Sequence, residues 1–319
     1  MSVLVFAENW DGAFKKSTYE GVAYAAGLAQ SVGGNVTAVV IGAVSAETAA
    51  TLGKYGAAKV LQFDGNDVNH QATATILAQT ATAAGSKYVV FNGTWKSKST
   101  APRLAIKLNA AIATEVVELP STNSPCVVKK KTFSGKAFAH VELNAEVKII
   151  VLSPNAYGIK ENELSAAFEK TSGTGSDKDA SLQHVEYQKT SGKINLTEAE
   201  LVVSAGRGMK GPENWGMIEQ LAEALGAATA CSKPVADIGW RPHHEHVGQT
   251  GIAVAPNLYI AIGISGAIQH LAGISSSKKI VVINTDPEAP FFKAADYGIV
   301  GDALQIVPKL TEAIKKLKG

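Results

Sequence analysis

The stretch Leu201–Leu225, L-V-V-S-A-G-R-G-M-K-G-P-E-N-W-G-M-I-E-Q-L-A-E-A-L, decides the fold. Leu201–Ala205 is a short apolar run of the kind that forms a strand buried on both faces. Gly206-Arg207-Gly208-Met209-Lys210-Gly211 follows and matches G-x-G-x-x-G, and the pattern from Pro212 to Leu225 predicts a helix. Strand, glycine turn and helix in that order open a βαβ unit. Further strands are predicted at Ala228–Cys231, Leu258–Ile262, Lys279–Ile283 and Tyr297–Val300. A nicotinamide dinucleotide site also needs a carboxylate at the end of the second strand, to hold ribose hydroxyls. Ser232-Lys233-Pro234 stands there instead, and the first acidic residue is Asp237. The segment therefore reads as a nucleotide-binding fold that departs from the dinucleotide fingerprint.

Within this half, Gly248–His270 carries two glycine-flanked hydroxyl turns, Gln249-Thr250-Gly251 and Ile264-Ser265-Gly266, around the apolar run Leu258–Ile262. Glycine has no Cβ to keep a ligand away from backbone N–H groups. Gly266–Ala272 reads as helical, which puts Ser265 at a helix N-terminus, where unpaired N–H groups and the helix dipole favour phosphate. Ser232, Thr250, Ser265, Asn284 and Asp302 all fall at the same end of one parallel sheet. Each alone suits a cap or a turn; together they suit a phosphorylated cofactor. Arg241-Pro242-His243-His244-Glu245-His246 has metal-binding residue types, but consecutive ligands in a loop opened by proline rarely meet one ion, and no metal site is expected. His270 lies one turn beyond the proposed phosphate. By itself, a histidine among apolar residues is more often structural.

Outward toward the N-terminus, Val3–Ala7, Asn35–Ile41, Lys59–Phe63 and Tyr88–Asn92 read as strands. Helices are predicted at Thr18–Ser31, stopped by Gly33-Gly34, and at Ala72–Ala84, ended by Gly85. This βαβαβαβ alternation predicts a parallel, doubly wound sheet. Asn92–Ser99 is a polar turn before a helix predicted at Ala101–Leu108, with Pro102 in its first turn. The turn fits an anion site, an ordinary cap or a partner-facing surface. Val127–Lys131, Phe138–Leu143 and Lys148–Leu152 read as strands added to the first sheet, and Ser181–Thr190 as one more edge strand. The polar segment Thr171–Asp177 reads as a loop. The expected fold class is α/β: two doubly wound domains with mainly parallel sheets, residues 1–192 and 193–319.

Composition excludes several function classes. The chain has 319 residues, 46% of them hydrophobic and 18% charged, and a formal net charge of +2. That charge is too small to argue for nucleic acid. Lys309–Lys318 reads as the polar face of a terminal amphipathic helix. Cys126 and Cys231 have no metal or redox spacing, which suits a reducing compartment. No segment is apolar over the length a bilayer requires, and the N-terminal run from Val3 reads as a strand rather than as an export signal. The expected location is cytoplasmic, or the mitochondrial matrix for a processed organellar form, with no stable membrane insertion.

Ser204–Gly208, Val247–Gly251, Leu258–Gly273 and Ala295–Val300 resemble the α subunit of electron-transfer flavoprotein, densely over the second domain. Pro102–Ala105 and Ser134–Ala137 carry a looser similarity over the first. The resemblance implies an electron carrier without a substrate reaction of its own. Its second domain would be a Rossmann-like FAD-binding domain. The first would resemble a nucleotide-hydrolase fold, hold no cofactor of its own and face a β subunit. That partner would carry AMP or a second FAD; dehydrogenases would supply electrons and a quinone oxidoreductase accept them.

The same resemblance implies roles at matching positions. Thr250 is expected near flavin N5 and His270 near the flavin C2 carbonyl. Ser232, Gln249 and Ser265 with its glycines would hold the ribityl-diphosphate, and Asn284 and Asp302 the adenosine half. Gly206, Arg207, Gly208, Lys233, Gly248, Gly251, Gly263, Gly266, Ala267 and Gln269 complete the expected binding set. Lys233 replaces the family's usual arginine, losing its planar, stackable guanidinium. His246 replaces a usual glutamine, and Ala205 a glycine. Lys233 and His270 are the candidates for a positive group near the flavin's pyrimidine edge. Two rival readings come from the residues: a nicotinamide-dependent oxidoreductase, from the glycine motif, and an adenine-nucleotide-binding module, from the first domain's pattern.

Overall fold

The computed structural model describes residues 2–65, 69–173, 179–181 and 194–318. The chain divides into two compact units, one of Met1–Thr132 with Phe138–Lys189, the other of Thr190–Gly319 with the short piece Phe133–Ala137. Both are α/β units built on mainly parallel sheets.

The first unit contains β1 (Ser2–Phe6), α1 (Lys16–Val32), β2 (Asn35–Ile41), β3 (Ala57–Phe63), α2 (His70–Ala83), β4 (Ser86–Phe91) and α3 (Trp95–Leu108). It continues with β5 (Ala111–Val116), β6 (Cys126–Thr132), β7 (Ala137–Leu143), β8 (Lys148–Leu152) and β9 (Ala167–Thr171). The strands run in the order β7-β6-β5-β8-β4-β1-β2-β3-β9. Successive side chains on a strand point to opposite faces, so the apolar runs supply two cores. Val3, Val5, Ala38 and Val40 pack under α1, while Leu4, Phe6, Val39 and Ile41 pack under α2 and α3. Gly33 ends α1 in the left-handed conformation, as its position in the sequence implies.

Three features differ from the sequence reading. β8 lies between β4 and β5 and is parallel to both, so it is an interior strand rather than an addition to an edge. Its run K-I-I-V-L shows no alternation because both faces are buried. β9 pairs parallel with β3 as an edge strand; its sequence A-F-E-K-T is too polar to signal one. α3 starts at Trp95 rather than Ala101, because Thr94 caps it through a hydrogen bond from Ser97 N to Thr94 Oγ1 (3.1 Å). The expected polar turn is therefore mostly helix, and Pro102 lies inside it. The expected strand at 181–190 falls, apart from Ser181, outside the described residues.

The second unit holds β10 (Leu201–Ala205), α4 (Trp215–Leu225), β11 (Ala228–Cys231), α5 (Lys233–Asp237), β12 (Leu258–Ile262), α6 (Ile268–Ile274), β13 (Ile280–Asn284), β14 (Tyr297–Val300) and α7 (Ala303–Lys318). Its five strands are all parallel, in the order β11-β10-β12-β13-β14. Val203, Ala205, Ile260 and Ile262 face α4 and α7; Val202, Tyr259, Ala261 and Val282 face the opposite core with Val247, Ile264, Ile274 and Phe291. The chain moves from β10 outward to β11, then returns to place β12 on the other side of β10. That reversal is the topological switch point, where open α/β sheets leave a crevice at the strand ends.

A buried carboxylate supports the first unit. Glu20 on α1 is 5% exposed and accepts hydrogen bonds from Asn155 N (3.1 Å), Tyr157 N (2.8 Å) and Gly158 N (2.8 Å), in the turn after β8. Glu20→Gln sets an amide donor against these N–H groups. It is expected to cost about 2–3 kcal/mol through unsatisfied donors. Urea titration of the first unit's unfolding is expected to show a lower midpoint at unchanged slope. An unchanged midpoint would show that the carboxylate does not hold the turn.

Candidate functional site

The crevice at the switch point is a cleft of about 570 Å³, within the range of small-molecule and cofactor sites. Four segments wall it: Arg207 and Gly208 after β10; Ser232, Lys233 and Pro234 after β11; His246–Thr250; and Gly263, Ile264, Ser265, Ala267, Gln269 and His270 after β12. Asn284, Asp286 and Ala289 close it from the end of β13.

Its floor is backbone against backbone. Gly206 N donates to Ile262 O (2.9 Å) and Gly208 N to Gly263 O (3.0 Å), which extends the ladder past both strands. A Cβ on Gly208 would lie 2.6 Å from Gly263 Cα, and Gly263 itself has φ +60°. Gly248 and Gly273 touch in the same way, since a Cβ on Gly273 would meet Gly248 Cα at 2.6 Å. Gln249 N donates to Gln269 O (2.7 Å), so the loop carrying Thr250 is pinned to the segment carrying His270.

The sequence-derived positions divide into groups. Arg207, Gly208, Ser232, Lys233, Gly248, Gln249, Thr250, Gly263, Ser265, Ala267, Gln269, His270 and Asn284 all line the cleft. Gly206, Gly251 and Gly266 are not lining residues and shape its backbone. Asp302 is not in the wall. It caps α7 by accepting from Leu304 N (3.0 Å) and pairs with Lys210 Nζ (3.0 Å). Asn284 donates through Nδ2 to Ile264 O (3.0 Å) and accepts from Asp286 N (3.1 Å), tying the ends of β12 and β13 together. The sequence reading missed Pro234, Val247, Ile264, Asp286 and Ala289, and assigned His246 no binding role. Asp286 and Ala289 were reachable from the rule that ligands sit beyond strand C-termini.

Ser265 does not stand at a helix N-terminus. α6 begins at Ile268, with Ala267 as its cap residue. Gly266 has φ +85° and crosses Phe291 so closely that a Cβ would lie 2.5 Å from Phe291 N, so the chain must turn before the helix starts. Ser265 O accepts from Phe291 N (3.1 Å) at that turn. The G-x-G-x-x-G segment also departs from a dinucleotide loop. Arg207–Met209 forms a 3₁₀ turn, Lys210 is left-handed (φ +68°), and α4 starts only at Trp215.

The histidine-rich loop is an ion-pair lock. Arg241 donates from Nε to Glu245 Oε2 and from Nη2 to Glu245 Oε1, both at 2.7 Å, and from Nη1 to Glu219 (3.0 Å). Bidentate pairing of this kind fixes orientation as well as charge. It anchors the segment that delivers His246 and Val247, whose N–H donates to Cys231 O (3.0 Å). Cys231 and Cys126 are both free and buried.

His270 is 7% exposed, and its Nε2 lies 2.9 Å from the Tyr259 hydroxyl, while Nδ1 is buried with no hydrogen-bond partner. Burial, and then nearby His246, push its pKa down to about 4. The imidazole is therefore neutral at pH 7, not the positive group that the sequence reading offered; desolvation in the apolar corner of Tyr259 and Phe291 outweighs any charge-stabilising contact. Burial also lowers the pKa of His246, opposed by Asp237 and reinforced by Lys233 and His243. Arg207 and Lys233 are thus the cationic groups of the wall.

The profile of the electron transfer flavoprotein FAD-binding domain matches residues 195–275, and that of the electron transfer flavoprotein domain matches residues 3–175. Three bacterial proteins named electron transfer flavoprotein subunit alpha are similar over nearly their full length. The one from Syntrophomonas wolfei is 37% identical, over 98% of both chains. The one from Bacillus subtilis is 37% identical, over 99% of this chain and 98% of its own. The one from Pseudomonas aeruginosa is 38% identical, over 98% and 100%.

The chain belongs to the electron transfer flavoprotein family. It is an α-subunit-type electron carrier that binds FAD, and it converts no substrate of its own. The cleft fits that cofactor on this structure's own terms. A glycine floor without Cβ atoms, hydroxyls from Ser232, Thr250 and Ser265, two cationic side chains and an orphaned buried ring nitrogen are what a flavin nucleotide asks of a wall. Among the described residues, no helix is long and apolar enough to cross a membrane.

The neutral, buried histidine sets an acid limit. Its folded-state pKa lies below the unfolded value of 6.5, so the unfolded chain takes up protons first. Stability is full above about pH 6.5 and is lost as pH falls toward 4. The shift corresponds to about 3 kcal/mol over that window. Urea titrations at pH 7.5, 6 and 5 are expected to show the second unit weakening, and His270→Gln is expected to flatten that dependence. An equal slope in both proteins would contradict the assignment.

Proposed function

We propose that this chain is one half of a heterodimer with a β subunit, taking electrons from dehydrogenases and passing them to a quinone oxidoreductase or similar acceptor. The observation that carries the reading is the glycine-floored cleft at the switch point of the second unit, with an unsatisfied ring nitrogen in its wall. FAD supplies the redox chemistry, and the protein supplies binding, orientation and electrostatics. Residues 193–319 form the FAD-binding domain, and residues 1–192 face the β subunit, which holds AMP or a second FAD. The compartment is the cytoplasm, or the mitochondrial matrix for a processed organellar form.

Roles follow position in the wall. Thr250, exposed on the loop pinned by Gln249 and Gln269, meets the flavin's N5 edge, and His270 meets the C2 carbonyl. Ser232 caps α5 with its backbone only, as its side chain makes no cap bond. That leaves the hydroxyl to join Gln249 and Ser265 on the ribityl-diphosphate, with Arg207 and Lys233 as counter-charges. Asn284 borders the adenosine half. Asp302 supports that end indirectly, by holding Lys210 and the start of α7.

Two rival readings lose support here. A nicotinamide enzyme lacks a carboxylate after β11, where Ser232 and Lys233 stand. The adenine-nucleotide reading came from the first unit's alternating strands and helices, and the polar turn that could have served it as an anion site is largely the opening of α3, Trp95–Ser99.

Co-expression with its β subunit is expected to give a yellow heterodimer that reduces in steps and holds one FAD in this chain. Gly208→Val is expected to lose most of that flavin, because its branched side chain meets Gly263. His270→Ala is expected to keep the flavin but shift its one-electron potentials. A colourless heterodimer that binds only NAD or ATP would overturn the proposal.

A further inference from the structure

Tyr259 has no place in the wall of the cleft, yet it buries a hydroxyl completely. It is the second residue of β12, is 0% exposed, and lies against His270 (ring centroids 6.1 Å) and Phe291 (6.5 Å, stacked). Phenylalanine fills that space equally well. A buried phenol costs stability unless it is hydrogen-bonded, so the hydroxyl must have a polar purpose. Its partner is His270 Nε2 at 2.9 Å. The histidine backbone is held independently, because His270 N donates to Ala267 O (2.8 Å) at the start of α6. The ring is thus fixed by one bond at Nε2, while Nδ1 is buried and unpartnered in a residue that lines the cleft.

Building on the cofactor reading above, we infer that Tyr259 is a positioning residue: its O–H donates to Nε2 of His270, fixes the imidazole proton on Nδ1, and so makes Nδ1 the donor to a carbonyl oxygen of the bound cofactor. Two hydrogen-bond arrangements fit the distance, and they have opposite consequences. If the imidazole donated from Nε2, its Nδ1 would be a bare acceptor, facing a carbonyl lone pair with nothing to share. If the phenol donates, Nδ1 carries the N–H. Phenol O–H is the stronger donor of the two groups and imidazole nitrogen the stronger acceptor, so O–H···N is the favoured sense. The phenol always has that proton to give, because burial holds its pKa well above the usual phenol value. The imidazole stays neutral and needs one defined tautomer, which its partner sets. The result is an N–H dipole of fixed orientation in the wall of the cleft, which costs no reorganisation when the cofactor gains charge.

The test is the tautomer itself, read from ring ¹⁵N shifts in the full chain with labelled histidine; His270→Gln assigns the signal among the seven histidines. At pH 7 the parent is expected to show a protonated Nδ1 and a pyridine-like Nε2. Tyr259→Phe is expected to move the proton toward Nε2 and to raise the FAD dissociation constant of the heterodimer about three- to tenfold, the worth of one net hydrogen bond. A parent signal with the proton on Nε2 overturns the inference, and this holds even if the variant fails to fold. A folded Tyr259→Phe protein with the parent tautomer also overturns it, because the phenol would then only fill space. The stated tautomer without any FAD binding would leave the histidine geometry standing and overturn the cofactor reading instead.

Discussion

Everything at the site depends on two backbones that touch. Past the ends of β10 and β12 the chain continues as Gly206-Arg207-Gly208 and Gly263-Ile264-Ser265, and Gly208 and Gly263 pack with no Cβ between them. A methyl on either would force the loops apart by more than a well-packed interior absorbs cheaply, typically about 1–3 kcal/mol for overpacking. Because they stay together, the two ladder bonds from Gly206 and Gly208 carry the sheet into the loop region. The cleft then opens directly above hydrogen-bonded main chain. The second contact, Gly248 on Gly273, fixes the Thr250 loop to α6 in the same manner. Four glycines therefore set where hydroxyls, cations and the histidine stand relative to each other.

On that floor the electrostatics separate into two kinds. Arg207 and Lys233 are exposed cations and suit the anionic end of a nucleotide, where solvent screening keeps each contribution modest. His270 is buried, and its pKa of about 4 removes its charge near neutrality. A neutral imidazole acts through the direction of its N–H, so its value lies in orientation. Tyr259 below it, Phe291 beside it and the Ala267 carbonyl at its backbone supply that orientation. The wall thus offers a cofactor two electrostatic elements, a neutral imidazole of fixed orientation and cations at the rim.

Much of this was legible in the residues. Strands buried on both faces, such as Leu201–Ala205 and Leu258–Ile262, declare themselves as unbroken apolar runs, and both appear with the expected bounds. The cleft's hydroxyls and glycines were legible because Thr250 and Ser265 each directly precede a glycine, which leaves the backbone open to a ligand. Other features depended on tertiary context. β8 took an interior place that no local pattern encodes. β9 is a polar edge strand made by its pairing with β3. α3 began six residues early because Thr94 found Ser97 N, and α6 began late because Gly266 had to pass Phe291. The charge state of His270 was hidden for the same reason, since desolvation is set by Tyr259 and Phe291 folding around it. Asp302 shows how one residue type carries two signals, since Asp at a strand end suits both a ribose and a helix cap, and in this structure its carboxylate caps α7.

The central claim is that the switch-point cleft of the second unit holds the flavin. The most direct measurement is the crystal structure of the FAD-loaded heterodimer. The account places the isoalloxazine between Thr250 and His270, with a carbonyl oxygen within hydrogen-bond distance of His270 Nδ1 and the diphosphate over Gly208 and Ser265. Flavin density elsewhere, for example against Thr94 and α3 in the first unit, with the Gly208–Gly263 cleft filled only by solvent, would contradict it.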